Sequence, residues 1–165
     1  MFNYNIMKVG FLHSVVRKEE KLLLQEFRRR EGVELKILDD REISFQLGQN
    51  GFGVDIVIER CINHSRALMA LRLFKTAGVK CVNNYEVALV CGDKLLTSAA
   101  LQEAGIPQPE VRVAFTEESA LQAIKEMGYP VVIKPATGSW GRLICKINDQ
   151  DAAEAILEHK TILGS

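Results

Sequence analysis

No apolar run in this sequence approaches membrane-spanning length, and the N-terminus lacks the charged-then-apolar layout of a secretory signal. A cytoplasmic protein with no membrane contact is therefore expected. The four cysteines, Cys61, Cys81, Cys91 and Cys145, show no CxxC spacing, which argues against a zinc site or a redox pair and for buried free thiols. His13, His64 and His159 lie too far apart in sequence to suggest ligand spacing, so no metal is assigned to them. The dinucleotide fingerprint GxGxxG is missing after the first strand, where Gly10-Phe11-Leu12-His13-Ser14 stands instead, and Gly51-Phe52-Gly53 precedes a strand. There is no internal repeat.

Net charge is also lacking: 21 basic and 21 acidic residues cancel. The balance is uneven along the chain, about +3 over residues 1–90 and about −3 over the remainder. That asymmetry suits an anionic partner on the N-terminal side but falls far below the footprint of a nucleic-acid binder. Apolar residues at 47% and charged residues at 25% are ordinary for a globular chain, and 165 residues can bury a real core in one domain or two small ones.

Periodicity predicts strands at Lys8 to Leu12, Val33 to Leu38, Val54 to Glu59 and Val79 to Val82. Helices are expected over Glu19 to Arg30 and around Leu68, Leu71 and Phe74, closed by Gly32 and Gly78. Alternating strands and helices indicate a parallel sheet, so residues 1–90 should form a small α/β domain. Over 91–165 the order becomes helix Asp93 to Ala104, strand Val111 to Phe115, helix Glu117 to Met127, strand Val131 to Ile133, strand Leu143 to Ile147 and helix Asp151 to Leu163. Thr116 and Asp149 are the expected N-caps. Two strands joined through the Gly138 to Arg142 loop form a hairpin, making this an α+β unit with a largely antiparallel sheet.

The segment from Tyr129 to Arg142 says most about chemistry. Lys134 ends the apolar run Val131-Val132-Ile133, Pro135 stops the strand, and a small-residue loop runs through Gly138, Ser139, Trp140 and Gly141 to Arg142. A lysine in that position is costly to desolvate without an anion, glycines let backbone N–H groups approach anionic oxygens, and Arg142 offers a planar fork of donors. That layout suits a triphosphate, with the loop acting as a flap that closes over phosphates and Arg142 acting mainly during phosphoryl transfer. Upstream, Lys94 lies in the first turn of a helix in Cys91-Gly92-Asp93-Lys94. In the N-terminal half, Arg60, Asn63, Ser65 and Arg66 follow the third strand directly and lead into a helix, and Asn83 and Asn84 end the fourth. Ligands of open α/β sheets bind outside the carboxyl ends of strands, and a helix N-terminus flanked by arginines attracts a carboxylate. Arg28-Arg29-Arg30, Asp39-Asp40 and Glu117-Glu118 read as a helix C-terminus, a turn and a helix start.

Lys94, the Gly105-Ile106-Pro107 turn and the string Lys134-Pro135-Ala136-Thr137-Gly138-Ser139-Trp140-Gly141-Arg142 together resemble the ATP-grasp ligases. The string is most similar to the RimK branch and to the LysX ligases within it, which join an amino acid to a small carrier protein. The resemblance implies a pre-ATP-grasp domain over 1–90 and the first, central ATP-grasp lobe over 91–165, with the later lobe and its magnesium ligands outside the sequence. It implies ATP bound by Lys94, Lys134 and the 138–142 loop, with Arg142 catalytic, and an amino-acid site at Arg60, Asn63, Ser65, Arg66 and Asn83. Implied partners are ATP with magnesium, an amino acid such as α-aminoadipate or glutamate, and a small acidic carrier whose C-terminal glutamate is extended in lysine or arginine biosynthesis. A homo-oligomer is implied for the complete enzyme. The portion in hand is expected to have little ligase activity alone. A RimK-like protein glutamate ligase and a non-catalytic nucleotide-binding or interaction module are the alternatives.

Overall fold

Strand alternation and glycine together set the first sheet. In a computed structural model of the chain, which describes residues 6–49, 52–138 and 141–163, four strands pair in parallel in the order β2-β1-β3-β4. They are β1 (Met7–His13), β2 (Val33–Asp39), β3 (Ile56–Arg60) and β4 (Lys80–Val82). Because side chains alternate across a strand, Val9, Phe11 and His13 of β1 share one face and Leu12 the other. Helix α1 (Lys18–Arg29) covers the first face, with the Phe27 ring edge-on to Phe11 at 6.5 Å. Helix α2 (His64–Thr76) covers the second, where Leu12, Leu38 and Val57 pack with Ala70 and Phe74. Phe45 and Phe52, from the long connection between β2 and β3, stack edge-on around Phe74 at 4.7 to 5.4 Å. Gly10 permits the close approach on this face: a Cβ there would lie 3.1 Å from both Leu38 and Val57 side chains.

The chain divides into two compact units, Met1–Leu89 and Val90–Ser165. Helix α3 (Tyr85–Gly92) runs across that division, and sequence reasoning left it unassigned. Its run Val87 to Cys91 is apolar on every side, so no helical stripe marks it; the usable signal was Asn84, whose side chain accepts the Val87 N–H as an N-cap.

In the second unit, α4 (Lys94–Glu103) is capped by Asp93, α5 (Glu117–Met127) by Thr116, and Asp149 accepts the Ala152 N–H at the start of α6 (Gln150–Leu163). Strands β5 (Val131–Ile133) and β6 (Cys145–Ile147) pair antiparallel, Val131 opposite Ile147. Ile124 of α5 and Ala153 and Leu157 of α6 close on one face of this ribbon and form a core with Val131 and Ile147. β6 starts two residues later than expected because Leu143 takes a left-handed φ of 59°, leaving residues 134–144 as the connection.

The expected strand Val111 to Phe115 does not form. Its alternation is correct, but a strand exists only where another edge pairs with it, and among the described residues the sheet here consists of β5 and β6. Arg112 is instead tied by ion pairs to Glu110 and to Glu126 of α5, and Phe115 stays 93% exposed. Among the described residues no helix is long and apolar enough to cross a membrane.

One buried charge fixes the first unit. Glu20, in the first turn of α1, is 0% exposed, and accepts hydrogen bonds from the Arg17 backbone and side chain and from Arg60 Nε and Nη2 at 2.9 to 3.1 Å. The Arg17 hydrogen bond, more than that of Arg60, holds the carboxyl at about 2 against the opposing effect of burial. Glu20→Ala should therefore destabilise the unit by about 3 kcal/mol, the lower end for breaking a buried pair, since both guanidiniums remain partly in water. The folded-state pKa lies below the unfolded one, so this contribution is complete above pH of about 5 and fades as pH falls toward 2. Urea unfolding at pH 7 and pH 3 checks both claims: equal midpoints for parent and variant at pH 7 would show that the pair is not stabilising.

Candidate functional site

The second unit brings two sequence-distant lysines onto one loop. Lys134 follows β5 and is exposed, and the chain then passes Pro135 to Ala136, whose carbonyl accepts the Lys94 N–H at 2.8 Å. Asp93 and Thr137 form an antiparallel bridge beside it. The Lys94 ammonium donates to the Gly138 carbonyl at 2.9 Å, across 44 residues of sequence. The N-terminus of α4 is thereby fastened to the start of the glycine loop. Gly138 adopts a φ of 142°, and a Cβ there would meet Pro135 Cγ at 3.5 Å and Lys94 Nζ at 4.0 Å. Gly141 also has a positive φ, and Arg142 beyond it is exposed. Ser139 and Trp140, expected at the tip of this loop, lie outside the described residues.

Chemically, the arrangement sets the Lys94 ammonium and the first turn of α4 on the segment after β5, with Lys134 and Arg142 exposed along the same connection. These are the parts that anionic oxygens require. Lys94 was the less specific of the two lysines by sequence, since Asp93-Lys94 alone is a helix start. Its pairing with Gly138 is a tertiary fact that spacing does not carry.

In the first unit, polar side chains collect where β1, β2 and β3 end. The parallel register sets Asp39, His13 and Arg60 side by side across the sheet. Asp39 is gripped by the Arg41 side chain, which holds its carboxyl well below the usual carboxylate range. Arg60 is engaged by Glu20. Between them His13 is 5% exposed, and its Nδ1 has no hydrogen-bond partner. Next in the chain, the Ser14 hydroxyl donates to Asp40 Oδ2 at 2.9 Å and accepts the Ile62 N–H at 3.0 Å, tying the three loops together. Asp40 Oδ2 also faces Arg66 Nε at 3.4 Å, while its Oδ1 is buried without a partner.

Asn63 caps α2 by accepting the Arg66 N–H at 2.9 Å, and Ser65, Arg66 and Asn83 are exposed. Of the five residues expected at an amino-acid site, Asn63, Ser65 and Arg66 thus share the first turn of α2, Arg60 is held by the Glu20 ion pair, and Asn83 follows β4. Since α1 and α2 lie on opposite faces of the sheet, the ends of β1 and β3 flank its topological switch point. His13, Ser14 and Asp40 were not selected from the sequence. The available signal was positional: His13 ends the first parallel strand, and Asp39-Asp40, read as a turn, ends the second.

The cysteines are free, as expected, but none is fully buried: Cys61, Cys81 and Cys145 are half-buried and Cys91 is exposed. Burial, reinforced by Glu59 and Asp40, pushes the Cys61 thiol far up, and burial with Glu59 raises Cys81 to about 11. Neither supplies a thiolate near neutral pH.

Comparison with known proteins gives the same division of the sequence. Residues 9–90 match the LysX preATP-grasp domain, and residues 91–163 match the RimK-like ATP-grasp domain. The glutamate–LysW ligase ArgX of Sulfurisphaera tokodaii is 34% identical, over 96% of this chain and 56% of its own length. The α-aminoadipate–LysW ligase LysX of the same organism is 33% identical, over 93% and 55%. The chain spans about half the length of the curated relatives it matches. Among solved structures, a RimK domain ATP-grasp protein from Sphaerobacter thermophilus superposes with a TM-score of 0.83 at 32% identity, covering 96% of this chain and 60% of that one. D-alanyl-alanine synthetase A from Vibrio cholerae shares the fold, with a TM-score of 0.71 at 11% identity. With its loop lysines, its parallel N-terminal sheet and these matches, the chain belongs to the RimK/LysX family of ATP-grasp proteins.

Proposed function

We propose that the chain is the N-terminal and central portion of an ATP-dependent carboxylate–amine ligase that joins glutamate or α-aminoadipate to the C-terminal glutamate of a small acidic carrier protein, in the cytoplasm. The observation that carries this reading is the Lys94 ammonium seated on the Gly138 carbonyl, which fastens a helix N-terminus to the loop after Lys134. The two named relatives, ligases that act with LysW, support the choice of amino acid and carrier.

In such a ligase a carboxylate oxygen attacks the γ-phosphorus of ATP, ADP departs, and the acyl phosphate formed is attacked by an amine, releasing phosphate as the amide forms. This chain contributes charge and position rather than a nucleophile. Lys134 and Lys94 neutralise phosphate oxygens, Gly138, Ser139, Trp140 and Gly141 close over them, and Arg142 meets the phosphoryl group as its charge redistributes. Asn63, Ser65, Arg66 and Asn83 hold the amino acid, with Arg60 supporting the sheet edge through Glu20. Magnesium would neutralise the terminal phosphates, but among the described residues no group of three or more His, Cys, Asp or Glu converges to hold it. These residues do not supply its ligand set.

Lys134→Ala and Lys94→Ala should each weaken ATP binding about 10- to 150-fold, the equivalent of one charge-assisted contact. Calorimetry on the 165-residue chain measures this, and unchanged affinity in both variants would remove the lysines from the site. Gly138→Val tests the loop itself. A φ of 142° suits glycine, so valine should shift the backbone carbonyl from Lys94 and lower ATP affinity about tenfold while the melting midpoint of the chain moves little. Parent-like ATP affinity in that variant would show that the Lys94–Gly138 contact has no part in binding.

A further inference from the structure

The ion pair between Asp40 and Arg66 is incomplete in a way that selects a ligand. The Asp40 side chain is 4% exposed, its Oδ2 is shared between the Ser14 hydroxyl and Arg66 Nε, and its Oδ1 has no partner. A buried carboxylate oxygen without a donor is uncommon and costly. Arg66, in contrast, is 48% exposed and stands at 3.4 Å, too far for a tight charge-assisted hydrogen bond. Both oxygens of Asp40 share one carbon, so the unpartnered one lies beside the group that Arg66 covers. Arg66 also belongs to the first turn of α2, where Asn63 accepts the Arg66 N–H and the leading N–H groups have no partner within the helix.

These features constrain what can bind. An anion that drew Arg66 away would leave the buried Asp40 carboxylate without a counter-charge, a strongly unfavourable change. A zwitterion avoids that penalty, because its own cation replaces the guanidinium. We infer that a free α-amino acid inserts into the Asp40–Arg66 pair, its ammonium taking up Asp40 and its α-carboxylate taking up Arg66 and the first turn of α2. Ser14 holds Asp40 in place from the other side. Arg66 thus exchanges partners on binding, and Asp40 is the specificity residue for the amino group. This rests on the proposed amino-acid site and adds to it the group that recognises the ammonium.

The test compares L-glutamate and L-2-aminoadipate with glutarate and adipate, which keep the carboxylates and lack the amine, by NMR titration of the 165-residue chain. The amino acids should bind, with shifts at Ser14, Asp40 and Arg66, and the amine-free acids should bind at least about tenfold more weakly. Asp40→Asn should erase that preference, and Arg66→Gln should both weaken the amino acids and lower the melting midpoint, because the buried Asp40 carboxylate then lacks its counter-charge. Equal binding of glutarate and glutamate by the parent chain, which needs no variant to fold, would overturn the inference. So would retained preference in Asp40→Asn, or no binding of either amino acid at about 10 mM. ATP titration of the same samples separates the outcomes: intact, lysine-dependent ATP binding with no amino-acid selectivity sinks this inference alone, whereas loss of ATP binding sinks the ligase reading.

Discussion

A carboxylate sealed from water must be surrounded by donors, and in the first unit that requirement dictates how the loops run. Glu20 lies at the start of α1, yet its partners come from the residue before the helix and from the end of β3, 40 positions away. Satisfying it fixes the entry angle of α1 and the height at which β3 ends. Arg60 is next to His13 in the parallel register, so the same contact sets the polar rim of the sheet. Ser14 then ties the β1 loop to those after β2 and β3 with one hydroxyl. The candidate site at the carboxyl ends of the strands thus rests on a buried charge whose carboxylate is saturated by arginine.

The second unit meets a related demand by other means. Among the described residues its sheet is two short strands, too little to organise the loop after β5 by pairing alone. Order is added from outside the ribbon, where the Lys94 N–H and ammonium both bond to the segment after β5. Backbone and side chain of one residue thereby hold a loop whose glycine carries a conformation unsuited to other residues.

Where periodicity and caps agree, the sequence was a good guide: Thr116, Asp149 and the apolar stripe of α5 place that half of the second unit almost to the residue. Val111 to Phe115 shows the limit. Alternation marks a segment able to be a strand, but pairing is a property of a neighbour, and local pattern carries no word of it. Helix α3 fails for the opposite reason, since a run apolar on all sides has no period to detect. For the candidate sites, position in the fold was legible, as with Lys134 just after β5 and Arg66 at the start of α2. Which cation meets which partner was not, and that is how Arg60 came to be grouped with a ligand cluster although Glu20 engages its guanidinium.

Glu20 and Asp40 together separate structure from recognition more sharply than burial does. Both side chains are almost fully removed from solvent and both face arginine, so exposure and charge alone treat them alike. Their hydrogen bonding differs: Glu20 uses both oxygens on two guanidiniums at close range, whereas Asp40 leaves one oxygen idle and its arginine at arm's length. A saturated carboxylate has nothing to gain from a ligand, and removing a partner can only cost stability. An unsaturated one gains a hydrogen bond from any donor that can replace its arginine, so the balance of free energy favours exchange there and rigidity at Glu20. With Glu20 in the first turn of α1 and Asp40 directly after β2, the first holds the frame still while the second responds to what binds.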